Sequence, residues 1–445
     1  MLIKKIFLTS MLILGSGWAH SQSFDLGIQP QFWALDSQEY TLDFDSKVEL
    51  KSIFTPSDEK IKSQANRQVE FLFGAFDNNH RQGVPKVNHN IEITSVKNDS
   101  SNLYVISYHY KGTVQVSGTG ANYQFYLPTN PDNVYLKSIV VKSGVTQYPC
   151  GDSQHYQSQY FWYFFNPKAY GCPLKENVDY FAVTGTLSHL PSTTETFPEY
   201  ERMLDAEGNL KVSVFYGLNA YGDTNPKTST DINATSVRAM RSLLLKNGFS
   251  SYVLSFDEIT KILENRTFDV PYVETFTKSI HTNQGTRVVQ VQLFFGSTDI
   301  NGGYGFHKFF AAALMRDSVV IYAGHSGLGS YLSPSEIKKS SNVSLQVPKN
   351  QYQLIFFNGC SSYPYYGAPY FQMKATDQDP AGTKNLDIMT NGLATYFSAI
   401  TPSNQAVMNA ILNYAETGLK TSYQKIITEA DSGNLLSILG DEDNN

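Results

Sequence analysis

Apolar residues along this chain follow two regimes, one on each side of about residue 200. Over residues 22–190 they form short runs, at 91–96, 103–108, 123–127, 134–141 and 160–165, parted by turn clusters such as Asn98-Asp99-Ser100, Ser117-Gly118 and Thr129-Asn130-Pro131-Asp132. Runs bounded in this way predict strands, and their succession predicts an N-terminal all-β domain, sandwich-like in build. In residues 191–210 proline and hydroxyl residues replace the strand pattern, which reads as a linker. From Lys211 strands and helices alternate. Strands are predicted at 211–215, 287–295, 319–322, 354–357 and 386–390. Helical spacing appears at Val237, Met240 and Leu244, with Gly248 as the stop, and in the stripe Phe306, Phe309, Phe310, Ala313 and Leu314. Ser333-Pro-Ser-Glu336 has the form of a capping box with proline in first place, and a last helix covers 403–417. This alternation predicts an α/β domain over 211–445, three-layered and built on a mostly parallel sheet. The chain is thus expected to be multidomain.

Two of these strands stop at a glycine and then present one reactive side chain, His325 in Gly324-His325-Ser326-Gly327-Leu328-Gly329 and Cys360 in Asn358-Gly359-Cys360. Parallel strands ending side by side bring an imidazole and a thiol to the edge where open α/β folds hold their active sites. A cysteine nucleophile with a histidine base is therefore the leading reading. Gly-His-Ser after a strand also suggests the nucleophile elbow of a serine hydrolase. That elbow requires Gly-x-Ser-x-Gly, whereas Leu328 fills the fifth place, and its base must follow the serine, whereas no histidine follows His325.

The order apolar strand, histidine, apolar strand, small residue, cysteine resembles the caspase-like cysteine peptidases, the group containing caspases, metacaspases, legumain, clostripain, gingipains and separase. The resemblance covers roughly residues 211–417. It implies Cys360 as the thiolate that attacks a peptide carbonyl and His325 as the group that protonates the leaving amine, acting on protein or peptide substrates. It also implies an oxyanion hole from the N–H groups of Cys360 and of the residue after the histidine. Ser326 stands where the family has glycine, with Gly327 one place later, so the hole is assigned to Ser326, Gly327 and Cys360. Asn358 and the loop 217–222 match the family's substrate-pocket positions, and Asp299, Asp377 and Asp387 are acids in or near loops that could face the site. Such a dyad requires neither metal nor cofactor; calcium is left open.

Charge and cysteine usage set the compartment. Lys4 and Lys5 precede an apolar run at 6–14, and Ala19-His20-Ser21 supplies small residues for cleavage before Gln22, so residues 1–21 read as a signal peptide of an exported, periplasmic or extracellular protein. No other stretch has the length and apolarity of a membrane span. Loss of 1–21 leaves 32 basic against 40 acidic side chains, a net charge of −8, which argues against nucleic acid as a partner. His80, His89, His109, His155 and His189 show no metal-ligand spacing. Cys150 and Cys172 are suitably placed for a disulfide in an oxidising compartment, which leaves Cys360 unpaired. The β domain is then a prodomain or a binding module. A non-catalytic reading, an exported binding or adhesion protein with His325 and Cys360 as remnants, stands beside the peptidase reading. Oligomeric state is not legible in the chain.

Overall fold

The computed structural model describes residues 32–78, 82–100, 102–152, 156–192, 196–219, 222–282, 285–298, 303–431 and 433–440. The expected signal segment and Asp299 lie outside the described residues. The chain enters through β1 (Phe32–Ala34) and β2 (Ser37–Lys51), forms two helices, α1 (Asp58–Glu70) and α2 (Leu72–Asp77), and returns in β3 (Gly83–Ser100), β4 (Leu103–Ser117) and β5 (Asn122–Pro128). A one-turn helix α3 (Val134–Ser138), a ribbon of β6 (Val140–Lys142) and β7 (Val145–Gln147), and β8 (Tyr180–His189) follow. Strands β3, β4, β2, β8 and β5 form, in that spatial order, one antiparallel sheet.

This region is α+β, which corrects the expected all-β sandwich: α1 and α2 pack where a second sheet would lie. Helix α1 escapes an apolar reading because its buried face is Ile61, Ala65 and Val69 interleaved with Gln64 and Gln68. Both glutamines are bonded to strands. Gln64 Nε2 donates to Glu49 O at 2.8 Å, and Gln68 Nε2 to Lys47 O at 2.9 Å. Gln68 Oε1 accepts from Tyr108 Oη at 2.6 Å. Buried amides are tolerated only when satisfied in this way. Residues 160–165 are not a strand either. They are successive turns, with Tyr163 N donating to Tyr160 O at 3.0 Å, inside the loop closed by the Cys150–Cys172 disulfide. The run at 134–141 is divided between α3 and the start of β6.

The second half runs β9 (Leu210–Gly217), α4 (Ile232–Lys246), β10 (Ser250–Val253), α5 (Phe256–Ile262), β11 (Tyr272–Thr282), β12 (Gly285–Gly296), α6 (Tyr304–Arg316), β13 (Val319–Ala323), α7 (Pro334–Ser341), β14 (Gln353–Asn358), α8 (Tyr363–Lys374), β15 (Leu386–Asn391), α9 (Phe397–Thr417), α10 (Tyr423–Ala430) and β16 (Leu436–Leu439). The nine-stranded sheet reads β1-β16-β15-β14-β13-β9-β12-β11-β10. Its five central strands, β12, β9, β13, β14 and β15, are parallel. Alternate side chains of one strand pack on opposite faces: Val212, Val214 and Tyr216 meet α4 and α9 residues such as Met240 and Val407, while Phe215 meets Phe306 and Phe310 of α6. The expected mostly parallel sheet, covered on both faces, is present. The Ser333 box is not formed; Ser333 Oγ bonds Ser335 Oγ instead, and Pro334 alone opens α7.

The two halves interlock. β1 pairs with β16 in the large sheet although it precedes the antiparallel one. The segment read as a linker packs as well: Tyr200 and Met203 are buried in the α9 side of the core, and Tyr200 Oη donates to Thr421 O at 2.8 Å.

Three glycines end three neighbouring parallel strands: Gly217 on β9, Gly324 just after β13 and Gly359 just after β14. A Cβ on Gly324 would lie 3.2 Å from Gly217 Cα, and one on Gly359 would lie 2.9 Å from Gly324 O. The strand ends therefore approach backbone to backbone. Gly359→Ala is expected to destabilise by roughly 1–3 kcal/mol, because a backbone oxygen cannot step aside. Gly222→Ala, where a Cβ meets nothing within 4 Å, should stay within about 0.5 kcal/mol. Urea unfolding of both variants measures the contrast. Removing the disulfide with Cys150→Ala and Cys172→Ser should cost about 3 kcal/mol for a loop of this length, read as a lower denaturation midpoint.

Candidate functional site

Parallel pairing sets the geometry of the site. Ala323 and Asn358 are register partners on β13 and β14, and His325 and Cys360 each follow their partner by two residues. Imidazole and thiol thus leave adjacent strands at one height, at the carboxyl edge of the sheet. The first of the parallel strands, β9, lies between β12 and β13, so the direction of winding reverses between β9 and β13. Crevices at such switch points are where open α/β sheets hold ligands. His325 closes this crevice: its exposed ring places Nε2 3.3 Å from the carbonyl of Asn219, in the loop after β9. Its own carbonyl is held at 2.5 Å by the hydroxyl of buried Tyr322, which reaches past Gly324.

Ser326 is buried, and its hydroxyl donates to Cys360 O at 2.7 Å. This side chain thereby ties the histidine loop to the cysteine loop. Its carbonyl accepts from Tyr366 Oη at 3.0 Å. Gly327, Leu328 and Gly329 all adopt positive φ, and a Cβ on Gly327 would fall 2.3 Å from the Tyr331 ring, so the tight turn after Ser326 requires glycine there.

Cys360 is a free, half-buried cysteine, and burial pushes its thiol above the ordinary pKa, with backbone hydrogen bonding opposing. Among the described residues no hydrogen bond joins its sulfur to the His325 ring. After it, Ser361 adopts φ +46°. Ser361 N donates to Leu393 O at 2.9 Å, and its hydroxyl bonds Tyr163 from the N-terminal half.

The four candidate pocket residues have different fates. Asn358 is buried in an amide chain: its Nδ2 donates to Asn404 Oδ1 at 2.8 Å, and its Oδ1 accepts from Asn391 Nδ2 at 2.9 Å. It braces the ends of β14 and β15 against α9, with both side-chain heavy atoms already hydrogen-bonded. Asp387 is a correction. It pairs with Leu354 near the amino end of β15, six residues before Cys360 in register, or about 20 Å along the strand. There it is buried and accepts from Tyr352 and, at 2.6 Å, from Tyr423. Asp377, in the loop entering β15, sits at that same far edge. Asp299 lies outside the described residues.

Among the described residues no group of three or more His, Cys, Asp or Glu side chains is arranged to hold a metal ion, and no helix is long and apolar enough to cross a membrane. A cleft of about 440 Å³, lined by Asn78, Tyr123, Tyr126, Asn166 and Lys168 among others, lies in the N-terminal half and includes neither loop of the site. Sequence reasoning missed Tyr322, Ser361 and Tyr163. Ser361 follows the cysteine directly and was within reach; Tyr163 belongs to an aromatic run with no signal marking it. Comparison with protein-family models, with curated proteins and with solved structures found no match for this chain.

Proposed function

We propose that the protein is an exported cysteine endopeptidase of caspase-like type, in which Cys360 and His325 form the catalytic dyad. The observation that carries this reading is the equal height of the two residues on neighbouring parallel strands at the switch point of the sheet. The disulfide and the amino-terminal segment support an oxidising destination.

The chemistry follows from the hydrogen bond of the His325 ring. With Nε2 turned to Asn219 O, Nδ1 is the ring atom left to take and give a proton. The peptide sits between sulfur and ring. As Cys360 Sγ bonds to the carbonyl carbon, the thiol proton passes to Nδ1. The C–N bond then breaks, and the same proton goes to the leaving amine. Water hydrolyses the thioester, releasing the carboxylate and restoring the thiol. The backbone N–H groups of Ser326, Gly327 and Cys360 are the candidate donors to the oxyanion. A raised thiol pKa suits a nucleophile that ionises only as the substrate arrives.

A second reading, a non-catalytic binding protein, is favoured by one observation: burial lifts the thiol and, among the described residues, no hydrogen bond joins it to an imidazole. Activity decides between them. The mature chain should cleave members of a diverse peptide library, assayed with and without calcium. Cys360→Ala should abolish turnover, and His325→Ala should lower kcat by about 10²–10⁴. Cleavage equal in wild type and Cys360→Ala would refute the dyad. In the free protein, the elevated pKa means that the thiolate fraction is small at neutral pH and grows as pH rises. Carbamidomethylation of Cys360 by iodoacetamide should therefore be slow at pH 7 and climb through and above about pH 8.5, the ordinary thiol value. A fast, pH-independent rate below pH 7 would contradict the burial.

A further inference from the structure

We propose that Tyr163 is a positioning residue for Cys360, supplied to the candidate site by the N-terminal half of the chain. The inference rests on the reading of Cys360 as nucleophile. It begins with Ser361, a non-glycine residue at φ +46° directly after the cysteine. Left-handed backbone is disfavoured for any residue that carries a Cβ and persists where surrounding bonds enforce it. Three bonds surround this peptide. Ser326 Oγ holds the carbonyl of Cys360 at 2.7 Å, and Leu393 O holds the N–H of Ser361 at 2.9 Å. The third joins the Ser361 hydroxyl to the Tyr163 hydroxyl in a buried setting, across a sequence separation of 198.

Tyr163 is itself fixed. Its ring stacks on Phe73 of α2 at 5.6 Å, and Phe73 stacks on Tyr365 of α8 at 6.1 Å with the planes 9° apart. Tyr365 lies four residues after Ser361, so the stack closes a ring of contacts back to the turn that Tyr163 holds. The segment carrying Tyr163 fits α2 closely: a Cβ on Gly74 would lie 2.4 Å from Phe165 N and 2.9 Å from Trp162 O. The disulfide between Cys150 and Cys172 encloses this segment. The N-terminal half is thus a built-in wall of the site and fixes the conformation of the residue after the nucleophile.

The test uses the full mature chain and the rate of Cys360 carbamidomethylation across pH, with folding checked by thermal melting. Tyr163→Phe keeps the ring and removes the hydroxyl. It should loosen the turn and speed alkylation by about tenfold, a coupling typical of contacting buried groups. Ser361→Ala breaks the same bond from the other side without touching the stack, and should do the same. Ser361→Gly adopts positive φ without help. In that background Tyr163→Phe should change the rate by less than about twofold, since the hydroxyl no longer has a conformation to enforce. A Tyr163→Phe profile that coincides with wild type overturns the proposal, and so does an effect of equal size in the Ser361→Gly background, which would mark a general packing role. Alkylation does not depend on peptide hydrolysis. Coupling in a protein that cleaves nothing would leave the positioning intact and remove the peptidase reading; cleavage without coupling would do the reverse.

Discussion

The approach of the Gly359 backbone to the carbonyl of Gly324, in line with that of Gly324 to Gly217, is the constraint on which the candidate site depends. Neighbouring strands in a sheet lie about 4.8 Å apart and their side chains alternate in direction. Loops that leave the ends of three such strands normally splay. Here the absence of Cβ atoms keeps them in contact for one residue more, and the residues that follow the two glycines after β13 and β14 are His325 and Cys360. Ser326 then ties the loops with a side-chain bond, and Tyr322 fixes the histidine carbonyl from beneath.

A second set of interactions holds the N-terminal half against this edge. Gln115 Nε2 donates to Leu435 O at 2.9 Å, and buried Glu39 accepts from Tyr363 Oη at 2.6 Å while pairing with Lys86. A buried carboxylate is stable only with such partners, and stripping one from it costs about 3–5 kcal/mol. Tyr363 opens α8, two residues after Ser361. The charged contact and the Tyr163 hydroxyl therefore act on the same short stretch, and β1 adds a covalent and hydrogen-bonded link by pairing into the large sheet.

The parts of this arrangement that were legible in the sequence share a physical cause. Strands buried on both faces must be continuously apolar, which is why β9, β13, β14 and β15 stand out as runs ended by glycine or polar residues, and why His325 and Cys360 could be paired before any geometry was known. Illegible elements break that link between burial and apolarity. α1 buries glutamines, whose bonding partners are strands remote in sequence. The run at 160–165 is apolar enough for a strand, but its rings divide between two destinations: Phe161 and Phe165 enter the N-terminal core, and Tyr163 turns to Ser361. The far-edge place of Asp387 was legible too: the strand predicted at 386–390 makes it the second residue of β15, at the amino end and away from the carboxyl edge.

The departure at Ser326 also acquires a physical meaning. A residue bulkier than glycine after His325 narrows the loop's freedom, and here its hydroxyl is turned inward to the carbonyl of Cys360. The turn that glycine would allow is moved one place along, to Gly327, where φ is +55° and the Tyr331 ring excludes any side chain. The substitution therefore exchanges local freedom for a bond between the two loops. The histidine loop is fixed through Asn219 and Tyr322, and the cysteine loop through Ser326, Leu393 and Tyr163. Burial raises the thiol pKa, and among the described residues no hydrogen bond joins that thiol to the exposed imidazole.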